Sequence, residues 1–465
     1  MKTLPKTYFA PLELLRHYKH VRKKSRARGL DRLSAYGFRN LLRAEFQIIR
    51  RKALNKTYRF TPYKEVLLGK GRGKVPRVVS VPTVRDRITL RVTKDYLQRI
   101  FPSAVNTDLP NAVIRSVHRV HQRANPSIVA LRIDVRGFYD NIDQSILLKK
   151  LSRKARSQVF QHLIRASIEC PTFPPGRRKG WKGEVRRSKG IPQGLPISNA
   201  LANVYLETFD KKLERIKGVI GYWRYVDDIL VLVTPTNVAR VKTIAESDLG
   251  KLGLEISLDP TKYHEEPLSV PFTYLGYQFD HLALTVPEGK VSGLVDSVAR
   301  FLTWYRHNRD AILHRCSWLS ADALDSAFVE DLNERITGAV FDGRLFGWLP
   351  YYQALTDRAL LHRTDATIRS LLSQSPIFGG RPPKGLKRLT TAYYKIRSGN
   401  AQEGYLRNYD VYNTVQVKLT YLTDRGILDT RQNYSPQTVT RWFSMFRQRN
   451  LRRLVADEGP AASGN

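Results

Sequence analysis

A chain of 465 residues with 42% apolar side chains can fill the cores of two or three domains, which excludes a fibrous or disordered polymer. Its 79 Lys and Arg against 41 Asp and Glu leave a net charge of +38, whose self-repulsion is relieved when a polyanion shares the surface, so nucleic acid is the expected partner. Two cysteines, Cys170 and Cys316, exclude a disulfide framework and a cysteine-rich zinc site. No apolar run nears the ~20 residues of a membrane span, and Met1–Ala10 does not read as a secretory leader, so the cytoplasm is the expected compartment.

The first hundred residues hold 27 Lys and Arg against 6 Asp and Glu, more than half the net charge. Within them Val21–Gly29 and a helical stretch from Tyr36 to Leu54 alternate basic and apolar positions, as a helix lying on phosphates does. Tyr63–Pro82 reads as two short strands joined by a Gly- and Lys-rich turn; Gly71 and Gly73 bring amides near an anion, and Lys70, Arg72, Lys74 and Arg77 suit a triphosphate. A helix follows with Ile88, Val92, Tyr96 and Ile100 on one face. Ser127–Ile133 is then a strand ending at Asp134, and Asp143 is placed to cap the next helix.

Pro171–Lys189 is a Pro-, Gly- and Arg-rich surface loop. Gly190–Ile216 reads as a tight turn opening a helix, with Ser198 as N-cap and Leu201, Val204, Tyr205, Phe209 and Leu213 buried; Gln193 offers donor and acceptor to a base or sugar edge. In Gly221–Val233 two β-prone runs flank Asp227 and Asp228, which are expected at the tip of a hairpin because Asp tolerates turns and is poor inside strands. Two adjacent like charges make sense there when divalent cations neutralise them. A helix from Thr236 to Lys251, a strand and turn ending near Lys262, and a hairpin at Pro271–Asp280 complete this region.

Beyond about Pro287 the pattern turns helical. Tyr393, Tyr394, Tyr405, Tyr409 and Tyr412 stand among Lys395, Arg397 and Arg407, a composition that suits either stacking on bases or a core. Thr414–Thr423, the Gly426 turn and the helix opening at Ser435–Pro436 resemble a helix-turn-helix, and the last ten residues read as a loose tail.

Strand-end Asp, Gln-Gly turn plus helix, Asp-Asp hairpin and Lys-bearing turn, in that order, closely resemble the palm of reverse transcriptases. The resemblance covers roughly Tyr58–Phe279: Lys74–Arg87 is similar to the finger hairpin, Leu131–Asp143 to the first metal-binding motif, and GIPQGLPIS to the turn that positions template and incoming base. YVDD is similar to the catalytic hairpin, LDPTKYH to the following lysine turn, and FTYLGYQF to the primer grip. The resemblance implies an RNA-directed DNA polymerase using two Mg²⁺ ions, with Asp134 and Asp227 as metal ligands and Asp228 a supporting carboxylate. It implies Arg77 as a clamp on the triphosphate, Tyr139 as the gate that excludes a 2′-hydroxyl, and Lys262 as proton donor to the leaving pyrophosphate.

The expected fold is an α+β right hand: a basic helical extension over 1–57, fingers over 58–130, a palm with an antiparallel sheet over 131–286, a helical thumb-like region over 287–375 and a basic nucleic-acid-binding region over 376–465. The basic N-terminus, Tyr58–Arg87 and the ITGAVFDGRLFGWLPYY stretch are most similar to bacterial defence-associated reverse transcriptases of the unknown-group class. That likeness implies a structured noncoding RNA as template, deoxynucleoside triphosphates as substrates and a DNA product acting against phage. Two alternatives stand beside it: an intron-type maturase acting mainly as an RNA-binding protein, and a protein-primed, template-independent polymerase extending one of the 23 tyrosines. A phosphate-binding kinase or ATPase is a remote alternative, since no GxxxxGK[ST] stretch occurs.

Overall fold

The structure, a computed structural model, describes residues 5–24, 27–69, 76–105, 109–174, 188–259, 262–281 and 283–457. The expected turn residues Lys70, Gly71, Arg72, Gly73 and Lys74, most of the Pro171–Lys189 loop and residues 458–465 of the tail lie outside them. The chain forms two compact units: Met1–Asp108 with Asn125–Pro267, and Leu109–Ala124 with Leu268–Asn465.

The strands of the first unit are β1 (Tyr63–Leu68), β2 (Arg77–Val81), β3 (Val129–Asp134), β4 (Thr172–Phe173), β5 (Val219–Tyr225), β6 (Asp228–Val233) and β7 (His264–Pro267). β1 and β2 pair antiparallel, with Leu68 opposite Arg77, and β4 adds to β1 in parallel. The second sheet runs β5-β6-β3-β7 with every neighbour antiparallel. β6 reads DILVLV, and from Ile229 to Val233 every side chain is buried, the continuous apolar run of a strand covered on both faces. Against it lies the helix Ser198–Glu214, whose Leu201, Val204, Tyr205, Phe209 and Leu213 are buried as their spacing predicts. Ser198 does not cap this helix: its hydroxyl donates to the Pro192 carbonyl (2.6 Å), tying down the preceding turn instead. Asp143 does cap, accepting from Ser145 N and Ile146 N.

The N-terminal helices Pro11–Lys24 and Leu42–Leu54 place Leu14, Tyr18, Val21, Ile49 and Ala53 in the same core as the helix Val84–Ile100 and the four-stranded sheet. Asp86 sits inside this core, accepting from Tyr58 Oη (2.8 Å), Thr83 Oγ1 (2.8 Å) and Thr61 N (3.1 Å), and burial pushes its carboxyl up to about 6. Expected as a strand, the stretch before Lys262 makes one bridge, Ile256 to Val135, and strand geometry resumes only at β7.

The second unit contains the hairpin Phe272–Tyr274/Tyr277–Asp280, closed by Leu275 and Gly276 at positive φ, and the helix Pro110–His121. Its C-terminal part is not wholly helical as the pattern implied. Ala339–Phe341 and Arg344–Phe346 form a hairpin around Asp342-Gly343, both at positive φ, and Arg407–Asn408 joins it in parallel. Tyr393 and Tyr409 are core residues, whereas Tyr394 is exposed. Val415–Thr423 and Pro436–Asp457 are helices, but residues 424–435 between them are far longer than the three- or four-residue turn of a helix-turn-helix. No helix among the described residues is long and apolar enough to cross a membrane.

Candidate active site

Residue alternation in β3, VALRID, sends Arg132 and Asp134 to one face, and antiparallel pairing sets Asp134 directly opposite Asp228 of β6. Hairpin β5–β6 closes through Val226 and Asp227, with Tyr225 opposite Asp228. The tip is therefore Val226-Asp227 and not Asp227-Asp228, because register with β3 and β5 draws Asp228 into the strand despite its turn preference. Val226 takes φ +63, a conformation that costs a β-branched residue on the order of 1–3 kcal/mol and that glycine usually supplies in tight hairpins. Arg224 holds the turn in place: Nη1 donates to the Val226 carbonyl (2.9 Å), while Nε and Nη2 grip Asp210 of the Ser198–Glu214 helix at 2.8 and 2.7 Å.

Lys262 reaches Asp134, its Nζ donating to Oδ2 at 2.7 Å. The strand end is pinned for this contact by Ser257 N to the Asp134 carbonyl (2.7 Å) and Arg136 N to the Glu255 carbonyl (2.9 Å). Burial alone would lower the Lys262 pKa, but the bond to Asp134 and the charges of Asp134 and Asp227 outweigh it, so the ammonium keeps its proton more firmly than usual. Both oxygens of Asp228 accept from Arg132, Nε to Oδ1 at 2.9 Å and Nη2 to Oδ2 at 2.8 Å. Burial pushes the Asp228 carboxyl up, against the pull of Arg132. Asp227 has no such partner: burial first, then the charges of Asp134 and Asp228, push its carboxyl up to about 6.

This donor set suits a hard divalent cation, since it offers oxygen ligands only and two carboxylates, Asp134 and Asp227, not enclosed by a bidentate arginine. Asp228 is committed to Arg132 and supports the pair. Among the described residues one group of three ligand-type side chains has mutually close donor atoms, Glu13, His17 and Asp95, and it is already spanned by Arg16, which pairs with both carboxylates.

Burial and the charge of Asp227 raise the phenol pKa of Tyr139, opposed by Arg77 and Arg224, so Asp227 and the expected clamp Arg77 both lie within electrostatic reach of the Tyr139 hydroxyl. Tyr139 donates its hydroxyl to Asn199 Oδ1. The turn before the helix docks on both sides: Ser80 N of β2 donates to the Gln193 carbonyl (2.8 Å), and Ile191 N to the Tyr139 carbonyl (2.8 Å). Gly194, at φ +92, is required there, since a Cβ would lie 2.6 Å from Val79 Cγ1. The structure thus gathers Asp134, Asp227, Asp228 and Lys262, with Tyr139, Arg77 and the Gln193 turn beside them; Lys74 lies outside the described residues. Arg132 and Arg224 are the two supporting residues that motif reading passes over, although the alternation of VALRID already puts Arg132 on the face of Asp134.

Residues 69–279 match the family described as Reverse transcriptase (RNA-dependent DNA polymerase). Protein YkfC of Escherichia coli strain K12 is 24% identical over 339 residues, covering 61% of this chain and 86% of YkfC. Group II intron-encoded protein LtrA of Lactococcus lactis subsp. cremoris is 26% identical over 167 residues, 35% of this chain and 27% of LtrA. An uncharacterized 91 kDa protein in the cob intron of Schizosaccharomyces pombe is 26% identical over 177 residues, 36% of this chain and 21% of that protein. The chain therefore spans about a quarter of the length of these two intron-encoded relatives.

Proposed function

We propose that this chain, a member of the reverse transcriptase family through its residues 69–279, is an RNA-directed DNA polymerase that copies a bound, structured noncoding RNA in antiphage defence. One observation carries the polymerase reading: Asp134 and Asp228 face each other across antiparallel strands with Asp227 at the adjoining turn, its carboxyl raised to about 6 by burial first and then by the charges of Asp134 and Asp228. A pair of Mg²⁺ ions bound there would activate the primer 3′-hydroxyl and stabilise the leaving pyrophosphate. Asp134 and Asp227 hold the cations, and Asp228, fixed by Arg132, keeps the turn charged and in register. Lys262 holds a proton at Nζ beside Asp134, placed for the departing pyrophosphate. Tyr139 stands where the ring excludes a ribose 2′-hydroxyl, Arg77 of β2 meets the triphosphate together with Lys74, and Gln193 presents an amide to the incoming nucleotide or its template base.

The noncoding RNA and the defence role rest on the likeness of the basic N-terminus and of Tyr58–Arg87 to the unknown-group enzymes. Phosphate contacts are largely blind to sequence, so choice of one RNA falls to its fold and its unstacked bases. The test combines primer extension on RNA with sequencing of copurifying nucleic acid: one abundant RNA with complementary DNA is expected, and a random cellular RNA population would oppose the reading. The two intron-encoded relatives favour a second reading, a maturase whose polymerase site is secondary. Biological activity that survives Asp134→Ala would select it.

A further inference from the structure

A pocket of about 430 Å³ in the second unit, away from the aspartates in sequence and lined by the helices Glu288–Arg315, Ala321–Thr337 and Pro436–Asp457, has an aromatic wall and a cationic rim. Phe301 and Trp304 present nearly parallel rings (3°, centroids 5.9 Å apart), and Trp304 is 48% exposed, unusual for so large an apolar surface. Arg335 lies 4.3 Å over Phe301 and is fixed by a 2.9 Å bond to Ser297 Oγ. Asp331 and Glu334 form the floor but offer little free negative charge: Arg425 donates to both oxygens of Asp331, and Glu334 accepts from Tyr409 Oη (2.9 Å) and pairs with Arg407 (3.0 Å). At the rim, Arg449 and Arg453 form no hydrogen bond or ion pair with a described residue; behind the effect of burial, the nearby charges of Arg449 and Arg335 lower the Arg453 pKa, against the opposite pull of Asp331 and Glu334. Clustered guanidinium groups beside parallel rings, one of them exposed, suit a ligand with flat π faces and negative charge on its flanks.

We propose that this pocket captures an unpaired nucleobase of a single-stranded nucleic acid, the base lying against Trp304 and Phe301 and its flanking phosphates meeting Arg449 and Arg453. The volume falls within the ~300–1,000 Å³ of small-ligand sites, ample for one nucleotide. The inference deepens the RNA-handling reading above and rests on it. It gives the second unit a task distinct from charge neutralisation: selecting a segment whose bases are unstacked.

The test uses the full chain with short oligonucleotides carrying 5-iodouridine or its deoxy counterpart, cross-linked by light and mapped by mass spectrometry. An adduct on the peptide containing Phe301 and Trp304 is expected, and the better-yielding sugar identifies the source as RNA or DNA. Trp304→Ala should weaken binding of a base-bearing oligomer roughly 5- to 150-fold, with an abasic oligomer of equal length unaffected, and Trp304→Phe should restore most of the loss. Arg449→Gln with Arg453→Gln should weaken both oligomers and reduce the salt slope by about 1.4, since each phosphate contact on a single strand contributes ~0.7. Adducts confined to other segments, or equal loss for base-bearing and abasic oligomers in Trp304→Ala, would overturn the proposal. Primer extension by the wild-type chain is scored separately, so failure of the polymerase reading and failure of the pocket are distinguishable.

Discussion

Replacing Asp227 by Asn should abolish DNA synthesis and stabilise the protein at the same time. Burial and the neighbouring carboxylates raise the Asp227 carboxyl from 3.8 to about 6, and a tenfold change in proton affinity is worth about 1.36 kcal/mol. Part of the side chain meets solvent, so a cost of about 1–3 kcal/mol is the reasonable range. The raised carboxyl binds its proton more tightly folded than unfolded, so this cost is absent below about pH 4, grows between about 4 and 6, and is complete above. For a unit of this size about 2–4 °C accompanies each kcal/mol, so Asp227→Asn in EDTA at pH 8 should melt roughly 2–12 °C higher than wild type. The gap should close toward pH 4 and shrink when Mg²⁺ is added, since the cation removes the same repulsion. Differential scanning calorimetry across that pH range, beside primer extension, measures both halves. A variant that melts lower than wild type at pH 8, or a gap independent of pH, would refute the electrostatic account of the aspartate cluster.

Arg132→Gln leaves Asp228 largely buried without its bidentate partner and should destabilise the first unit by about 3–5 kcal/mol in urea titration, with Asp228→Asn in the same chain recovering much of the loss. Lys262→Ala should lower kcat about 100-fold in single-turnover extension while leaving nucleotide KM nearly unchanged, and should flatten the alkaline limb of the rate profile if Nζ is the proton donor. Tyr139→Ala should raise ribonucleotide incorporation relative to deoxynucleotide by about tenfold or more in a competition assay.

Apolar β-prone runs made the sheet legible: Asp134 and the Asp227-Asp228 pair fall at ends of such runs, and the chain does bring those ends together. The helix after the Gly190 turn was legible from the four-residue spacing of Leu201, Tyr205, Phe209 and Leu213. What escaped is tertiary in origin. The hairpin tip shifted by one residue because strand register outweighs the local preference of Asp228, a competition that a single sequence does not display. Arg224 became a brace because a helix from earlier in the chain supplies Asp210 and Asn203. The Asp342-Gly343 hairpin, by contrast, was readable: Asp-Gly between apolar runs is a strong turn signal, hidden by the helical periodicity on either side. Tyr409 gave no local cue, since its place in the core depends on Glu334, far back along the chain.

The common core of the first unit has an architectural consequence. Phe9, Leu14, Tyr18 and Ile49 are wholly or almost wholly buried, and they precede the stretch that matches the polymerase family. Burying four such side chains contributes on the order of 6–12 kcal/mol, comparable with the entire ~5–15 kcal/mol margin of a typical domain. Residues 69–279 expressed alone should therefore be strongly destabilised, and the stable folded unit should include the first helices. Insertions and deletions in that leading segment should be felt at the aspartates, because what looks like an appendage in sequence is a wall of the same room.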